Sequence, residues 1–109
     1  MDKEYIVEKS LPNSFAHTNL LEILQKFPEK KNLIVAGLMT HMCVASTVSS
    51  AIDHGYTTTL IASTTTTRDL RSYDGQVIPA STLKASTLSA LQDRFATILD
   101  EPEALMQYS

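Results

Sequence analysis

Residues 33–44 decide the fold, and they read Leu33-Ile34-Val35-Ala36-Gly37-Leu38-Met39-Thr40-His41-Met42-Cys43-Val44. The first four are apolar at every position, which is typical of a parallel strand that is covered on both faces. Gly37 is predicted to end this strand. A helix is predicted over residues 40–54, because apolar positions recur there at helical spacing and a glycine follows. The stretch therefore predicts a strand that leads directly into a helix, with Cys43 in the first helical turn.

The same alternation continues on both sides of this stretch. The other predicted elements are a short strand from Tyr5 that ends at Lys9, a helix over 18–27, a strand over 56–62, a loop over 63–79 and a helix from 81 to about 100. Strands that alternate with helices at this spacing imply right-handed crossovers and a parallel sheet. We therefore expect one α/β domain over residues 1–109, a Rossmann-like three-layer fold with a mainly parallel sheet.

The composition is that of an ordinary globular chain, and it excludes several classes of function. Apolar residues make up 43% and charged residues 19% of the 109 residues, which is too apolar for a disordered chain. The net charge is −3 and Lys30-Lys31 is the one pair of adjacent basic residues, so nucleic-acid binding is not expected. No apolar run approaches the roughly 20 residues of a membrane helix, and the first residues do not resemble a signal peptide. We expect a cytoplasmic protein with no membrane partner.

Cys43 is the single cysteine of the chain. It cannot form an internal disulfide, and with three dispersed histidines it gives no zinc-binding spacing, so neither a metal nor another cofactor is expected. A helix N terminus offers free N–H groups, which stabilise a thiolate and a developing oxyanion. From these residues alone a packing role for Cys43 stays open, because cysteine is often buried.

A nucleophilic cysteine needs a charge partner and a proton acceptor. Lys9 is a candidate, although a lysine at the end of a strand is usually solvated. His41 is not expected to pair directly with Cys43, because residues two apart on a helix do not face each other. His17 and His54 are predicted to be structural or surface residues.

The stretch 33–47, followed by residues 51–56, closely resembles the nucleophile motif of the isochorismatase-like cysteine hydrolases. This superfamily includes nicotinamidases and related amidases. Two flanking segments support the resemblance. Residues 6–9, with 13–15 and 18–20, are similar to the family's lysine-bearing strand and its following loop, and residues 67–96 are similar to its C-terminal segment. The resemblance covers nearly the whole chain.

The resemblance implies a site and a reaction. Cys43 would attack the carbonyl carbon of a small amide or related C–N bond to form a thioester, and Lys9 would be the cationic member of an Asp-Lys-Cys triad. The resemblance also implies a cis peptide between Leu38 and Met39, with the N–H groups of Met39 and Cys43 as the oxyanion hole. The residues expected to bind the small-molecule substrate are Phe15, Thr40 and His41. A homo-oligomer is expected by the same resemblance.

The chain departs from the family at its N terminus. Relatives are usually much longer and begin with a strand that ends in the triad's aspartate, the general base. This chain starts after that point and Asp2 lacks the surroundings of that motif, so the resemblance implies an N-terminally truncated domain. Two strands that usually separate the Lys9 strand from the Cys43 strand are also missing. We expect one of three outcomes: the Lys9 strand pairs directly with the Cys43 strand, another chain fills the gap between them, or the sheet exposes two apolar edges.

Two hypotheses besides an active hydrolase stay open. The first is a catalytically impaired, truncated paralogue or fragment that acts only as an oligomerising α/β module. The second is a small anion-binding domain that uses the helix at Thr40 and the hydroxyls of residues 64–67. That threonine tract lacks the glycine pattern of a phosphate-binding loop. The anion-binding domain is therefore the weakest of the three hypotheses.

Overall fold

The computed structural model of the chain describes residues 4–108. In chain order, its elements are α1 (Leu20–Leu24), β1 (Asn32–Leu38), a π-helical turn (Thr40–Val44), α2 (Ala45–Asp53), β2 (Thr57–Thr66), β3 (Leu70–Arg71), β4 (Val77–Ile78), α3 (Ala80–Arg94), β5 (Thr97–Leu99), a 3₁₀ turn (Pro102–Ala104) and α4 (Leu105–Tyr108). The strand, helix and strand predicted around residues 33–62 are confirmed. Asp2 lies outside the described residues.

The main sheet consists of three parallel strands in the order β1-β2-β5. Val35 of β1 lies beside Leu60 of β2, and Leu60 lies beside Ile98 of β5. α2 connects β1 to β2, and α3 lies between β2 and β5 in the chain, since parallel neighbours need a crossover. β3 and β4 form a separate antiparallel pair. The α/β fold with a parallel sheet, predicted from the sequence, is confirmed.

Two clusters of buried apolar side chains hold the helices to the sheet. The first consists of Val44, Val48, Leu60, Leu88 and Leu91. The second consists of Phe15, Ala51 and Tyr56, with Leu33 and the leucines of α1 packed against it. Because α2 contributes to both clusters, it is the element around which α1 and α3 pack, and removal of these apolar side chains from water stabilises that arrangement.

The two faces of β1 differ in exposure. Leu33 and Val35 pack against the two clusters, whereas Ile34 and Leu38 are 57% and 66% exposed. Successive strand residues point to opposite faces of a sheet, so the helices cover one face of β1 and leave the other open to solvent. Among residues 4–108, β2 is the one strand that pairs with β1, which places β1 at an edge of the sheet.

The strand predicted to end at Lys9 is not formed. Residues 4–9 adopt no regular structure, and the segment is attached through the Tyr5 ring, which meets the Phe27 ring edge-on at 6.5 Å between centroids. Branched and aromatic residues make a strand only where a neighbouring strand takes up the backbone hydrogen bonds. The expectation that a Lys9 strand pairs directly with β1 is therefore wrong.

The loop predicted over residues 63–79 is wrong in part, because strands occupy residues 63–66, 70–71 and 77–78. β2 continues to Thr66, because threonine is β-branched and suits a strand as well as a loop. β3 and β4 then form a short hairpin that turns at Gly75, where φ is +95°. Residues 64–66 of the threonine tract are thus part of the central strand of the sheet rather than of a flexible anion-binding loop.

α3 begins close to the start predicted for the last helix but ends earlier than predicted. α3 ends at Arg94, and Ile98 and Leu99, which the helical pattern includes, lie in β5. Helical and strand spacings cannot be distinguished over so short an apolar run. Pairing with β2 decides in favour of a strand, because it places Ile98 against the first buried cluster.

Gly37 does not end β1 as predicted. It has a φ of +134° and lies where the pairing with β2 shifts register after Val35. Glycine tolerates this backbone conformation, so the irregularity is accommodated and β1 continues to Leu38.

α1 is shorter than the predicted helix and ends at Leu24. The Asn19 side chain, at the N-cap, makes no capping hydrogen bond. Instead the Thr18 hydroxyl accepts a hydrogen bond from the Leu20 N–H at 3.2 Å, which satisfies one N–H group of the first turn.

Candidate active site

The turn from β1 into α2 is wider than an ordinary helical turn. The Val44 N–H donates to the Met39 carbonyl at 3.3 Å, and the Ala45 N–H donates to the Thr40 carbonyl. Both bonds span five residues, which defines a π turn. Cys43 lies in this turn and is half-buried. Its N–H belongs to the first helical turn, where the helix itself offers no acceptor.

The peptide bond between Leu38 and Met39 is cis. It lies directly after β1, at the position where the family resemblance implied it. Met39 itself is extended, with φ −93° and ψ 149°, and precedes the π turn. The strand end and the start of the helix are therefore separated by one extended residue, and the role of the Met39 and Cys43 N–H groups as oxyanion donors stays a prediction.

Lys9 lies against the sulfur of Cys43. Its Nζ donates to Cys43 Sγ at 3.2 Å, to the Leu11 carbonyl at 3.0 Å and to the Pro12 carbonyl at 3.3 Å. An ammonium group has three donors, so each of them has one acceptor. The irregular segment thus brings together two residues that are 34 positions apart, and it places a positive charge where a thiolate would form.

Lys9 itself is exposed. Water screens the charge, and a contact of this kind has the modest strength of a surface ion pair. Among residues 4–108, the hydrogen bonds of the Lys9 ammonium go to this sulfur and two carbonyls and to no carboxylate. The described residues therefore pair the thiol with a cation but supply no acidic partner to that cation.

Sequence reasoning missed Thr47, which holds the loop next to Lys9. The Ser14 N–H donates to Thr47 Oγ1 at 2.9 Å, and the Thr47 hydroxyl lies 3.0 Å from Ser14 Oγ and 3.5 Å from the Pro12 carbonyl. One signal was present in the sequence: Thr47 follows Cys43 by four residues, and residues at this spacing share a helix face.

His41 contacts Thr67 rather than Cys43. Its Nδ1 lies 2.6 Å from the Thr67 hydroxyl, just beyond the end of β2. The expectation that His41 and Cys43 form no direct pair agrees with this geometry. His41 is half-buried within the π turn, and its contact with substrate stays a prediction.

Two of the three expected substrate-binding side chains are buried instead. Thr40 is 0% exposed, and its hydroxyl pairs with that of Thr65 at 2.8 Å. Phe15 belongs to the second buried cluster, and its ring lies 4.9 Å from the His54 ring. Both side chains are enclosed because α2 packs closely on β2 and on the loop before α1. Both side chains therefore have a packing role, and their contact with substrate stays a prediction.

Within residues 4–108, no group of three or more histidine, cysteine, aspartate or glutamate side chains is placed to hold a metal ion. Within the same part of the chain, no helix is both long enough and apolar enough to cross a membrane.

The class of protein is defined by a parallel α/β domain with a cysteine in the turn after its first sheet strand and a lysine against the sulfur. A family model described as the isochorismatase domain matches residues 1–100. The chain therefore belongs to the isochorismatase family, which makes it a relative of hydrolases.

Relatives show how much of a whole protein this match represents. The uncharacterized isochorismatase family protein YddQ of Bacillus subtilis is 36% identical over 98 residues, which are 90% of this chain and 53% of that protein. The crystal structure of an isochorismatase from Pseudomonas putida is 39% identical with a TM-score of 0.85, and the match covers 92% of this chain and 50% of that one. The chain spans about half the length of the relatives it matches.

A more distant structure shows the shared fold alone. A cysteine hydrolase from Pseudomonas syringae is 18% identical, with a TM-score of 0.88 over 98% of this chain and 50% of that one. The backbone fold is therefore similar even where few residues are identical.

Proposed function

We propose that this chain carries the nucleophile and the lysine of a cysteine hydrolase site, which acts on a small amide or related C–N bond through a thioester at Cys43. The observation that carries the proposal is the 3.2 Å contact between Lys9 Nζ and Cys43 Sγ. Family membership supports it, because the matched family is that of the isochorismatases, which are hydrolases.

The proposed reaction begins at the Cys43 thiolate. Its electron pair forms a C–S bond to the substrate carbonyl carbon, and the carbonyl π electrons move onto oxygen. The tetrahedral intermediate then collapses, so that the C–N bond breaks and the leaving nitrogen takes up from solvent the proton that the thiol released on ionising. Water hydrolyses the thioester, which releases the acid and returns the thiol. The N–H groups of Met39 and Cys43 would stabilise the oxyanion.

Lys9 would favour the ionised sulfur before attack. A cation beside a thiol and a helix N terminus behind it both stabilise a thiolate. Because Lys9 is exposed, we assign it a contribution of about 1 kcal/mol, the size of a unit-charge interaction at 4 Å in water.

Among the described residues that contact Lys9 or Cys43, none is a candidate for the proton acceptor of the later steps. Loss of a catalytic general base typically lowers the rate by about 10² to 10⁴. We therefore propose that this chain acylates readily at Cys43 and turns over slowly unless a carboxylate is supplied to Lys9. Since a free thiol persists best in a reducing compartment, we propose a cytoplasmic location.

The experiment follows Cys43 alone, because the chain has one cysteine. Native protein and protein unfolded in guanidinium are alkylated with iodoacetamide across a range of pH, and intact mass gives the rate. Iodoacetamide is uncharged, so Lys9 does not attract it. A second arm treats native protein with an activated acetyl ester, and Cys43→Ala is the control for labelling at other residues.

We expect native Cys43 to react faster than the unfolded chain near neutral pH and to form an acyl adduct that hydroxylamine removes. Equal rates for native and unfolded protein, together with no adduct on Cys43, would overturn the proposal. A panel of small primary carboxamides then tests the substrate class through release of ammonia.

A second proposal follows from the open face of β1. Ile34 and Leu38 are exposed apolar side chains on one face of an edge strand, and such a surface favours association. We propose that two copies of this chain associate through it, which would be the role of a catalytically impaired module. Sedimentation of Ile34→Lys against the unchanged chain tests this: a dimer that persists in the variant rejects this surface.

A further inference from the structure

We propose that Thr47 is a positioning residue, which holds Lys9 against the Cys43 sulfur through the loop at residues 11–14. This inference rests on the proposed function of the Lys9 and Cys43 pair. Thr47 touches neither Lys9 nor the sulfur by any hydrogen bond of its own, so its action is indirect.

The first step of the argument is the placement of Thr47. It stands one helical turn after Cys43, on the same side of the helix. Its hydroxyl accepts the Ser14 N–H at 2.9 Å and lies within 3.0 Å of Ser14 Oγ and 3.5 Å of the Pro12 carbonyl. All of these contacts go to one loop, so the hydroxyl ties that loop to the helix that carries the nucleophile.

The second step is what the same loop does for Lys9. The Leu11 and Pro12 carbonyls accept two of the three ammonium donors, at 3.0 and 3.3 Å, and Cys43 Sγ takes the third. The Pro12 carbonyl is thus shared by Thr47 and Lys9. Fixing the loop fixes two of the three acceptors that orient the charge.

The third step is that neither burial nor strand pairing holds Lys9 in place. Residues 4–9 make no strand, and the Lys9 side chain is exposed. The loop has a second anchor, since the Thr18 hydroxyl donates to the Ser14 carbonyl at 2.6 Å. Loss of the Thr47 hydroxyl should therefore loosen the lysine without releasing the loop from the domain.

The test measures the pH profile of iodoacetamide alkylation at Cys43 in a set of variants. Thr47→Val has nearly the same shape but no hydroxyl, and Thr47→Ser keeps the hydroxyl. Thr57→Val is the matched control, because the same change removes a hydroxyl that donates to Asn32 at 3.0 Å, at the opposite end of the paired strands. Lys9→Met gives the full effect of losing the charge.

We expect Thr47→Val to slow alkylation near neutral pH by about twofold or more, toward the roughly fivefold loss expected for Lys9→Met. At about pH 9.5, where a cysteine thiol is mostly ionised, the variants should converge. Thr47→Ser and Thr57→Val should follow the unchanged chain. The double variant Lys9→Met/Thr47→Val should match Lys9→Met alone, because Thr47 acts through Lys9.

The outcomes separate this inference from the proposed function. If Lys9→Met changes the profile and Thr47→Val does not, Thr47 has no positioning role and the proposed site stands. If Lys9→Met changes nothing, both proposals fail. A Thr47→Val profile that is equally slowed at every pH indicates altered access to the thiol and overturns the positioning role. If Thr47→Val does not fold, Thr47→Ala is the replacement, because it lacks the hydroxyl and suits a helix.

Discussion

The two residues of the candidate site are held in place by different means. Cys43 stands in a helical turn whose neighbours Val44 and Val48 are buried, with Val48 0% exposed, and the turn follows a strand of the main sheet. Lys9 stands at the end of an irregular segment in which Ile6 is 92% exposed. The two residues are 3.2 Å apart, but Cys43 is held in place by the buried core, whereas Lys9 is held by a few hydrogen bonds.

This difference teaches which part of the site depends on folding stability. The nucleophile keeps its place for as long as the core is intact, because burial of many apolar side chains is cooperative. The lysine depends on individual hydrogen bonds at the surface, each worth about 0.5 to 1.5 kcal/mol. Substitutions should therefore separate stability from thiol reactivity, and we order them by their expected effect on stability.

The largest effect is expected beneath the nucleophile. Leu60→Ala removes a side chain that is 0% exposed in the first buried cluster, and such changes cost about 2 to 5 kcal/mol. Urea denaturation followed by circular dichroism measures the loss. Ile6→Ala in the Lys9 segment is the control, with an expected change within about 0.5 kcal/mol. Comparable losses in both variants would break the contrast between the two regions.

A smaller effect is expected where the π turn meets β2. Thr40→Val leaves the buried Thr65 hydroxyl without its partner at 2.8 Å, which should lower the free energy of unfolding by about 1 to 3 kcal/mol. The double variant Thr40→Val/Thr65→Val should recover most of that loss, because no unpaired hydroxyl remains. Failure of the double variant to recover would mean that shape rather than hydrogen bonding matters at this contact.

Lys9→Met should leave stability nearly unchanged and still alter the thiol. We expect the free energy of unfolding to change by less than about 0.5 kcal/mol, as for most exposed residues. Alkylation of Cys43 near neutral pH should become about fivefold slower, because the positive charge beside the sulfur is lost. Lys9→Arg keeps the charge and is the control. A large loss of stability in Lys9→Met would show that the lysine holds its segment to the domain.

The smallest effect is expected in the β3-β4 hairpin, away from both regions. The Ser72 hydroxyl and the Gln76 N–H donate to Asp74 and hold the pKa of its carboxyl below the usual value. Because the pKa is lower in the folded state, this stabilisation is present above the unfolded value of about 3.9 and is lost as the pH falls through the folded value. Asp74→Asn should lower Tm slightly near neutral pH, and the difference should narrow in acid. A Tm difference independent of pH would contradict this.

The sequence predicted the central part of the fold well and the ends poorly. The strand at residues 33–36, the following helix and the strand at 56–62 rest on local patterns, and the structure contains all three. The Lys9 strand was wrongly predicted, because no strand among residues 4–108 pairs with that segment. The residues of β5 were predicted as helix, because three residues are too few to distinguish the spacing of a strand from that of a helix. Pairing with β2 makes them a strand.

The sequence likewise predicted some residues of the candidate site and missed others. Cys43 was identified by its position after a buried strand, and Lys9 by resemblance as its partner. Thr47 was not, because its role depends on where the loop at residues 11–14 packs. The burial of Thr40 and Phe15 was not predicted either, because exposure is set by the packing of α2, which no local pattern contains.

The sequence by itself determined that a strand leads into a helix with Cys43 in its first turn, and that the chain is an α/β protein of one family. These features depend on apolar spacing and turn residues within a few positions of each other. Only the tertiary structure decided that Lys9 meets the sulfur without a strand to carry it, that Thr47 holds the intervening loop, and that one face of β1 is open. Each of these depends on contacts between residues far apart in the chain, whose free energies appear only when the segments pack together.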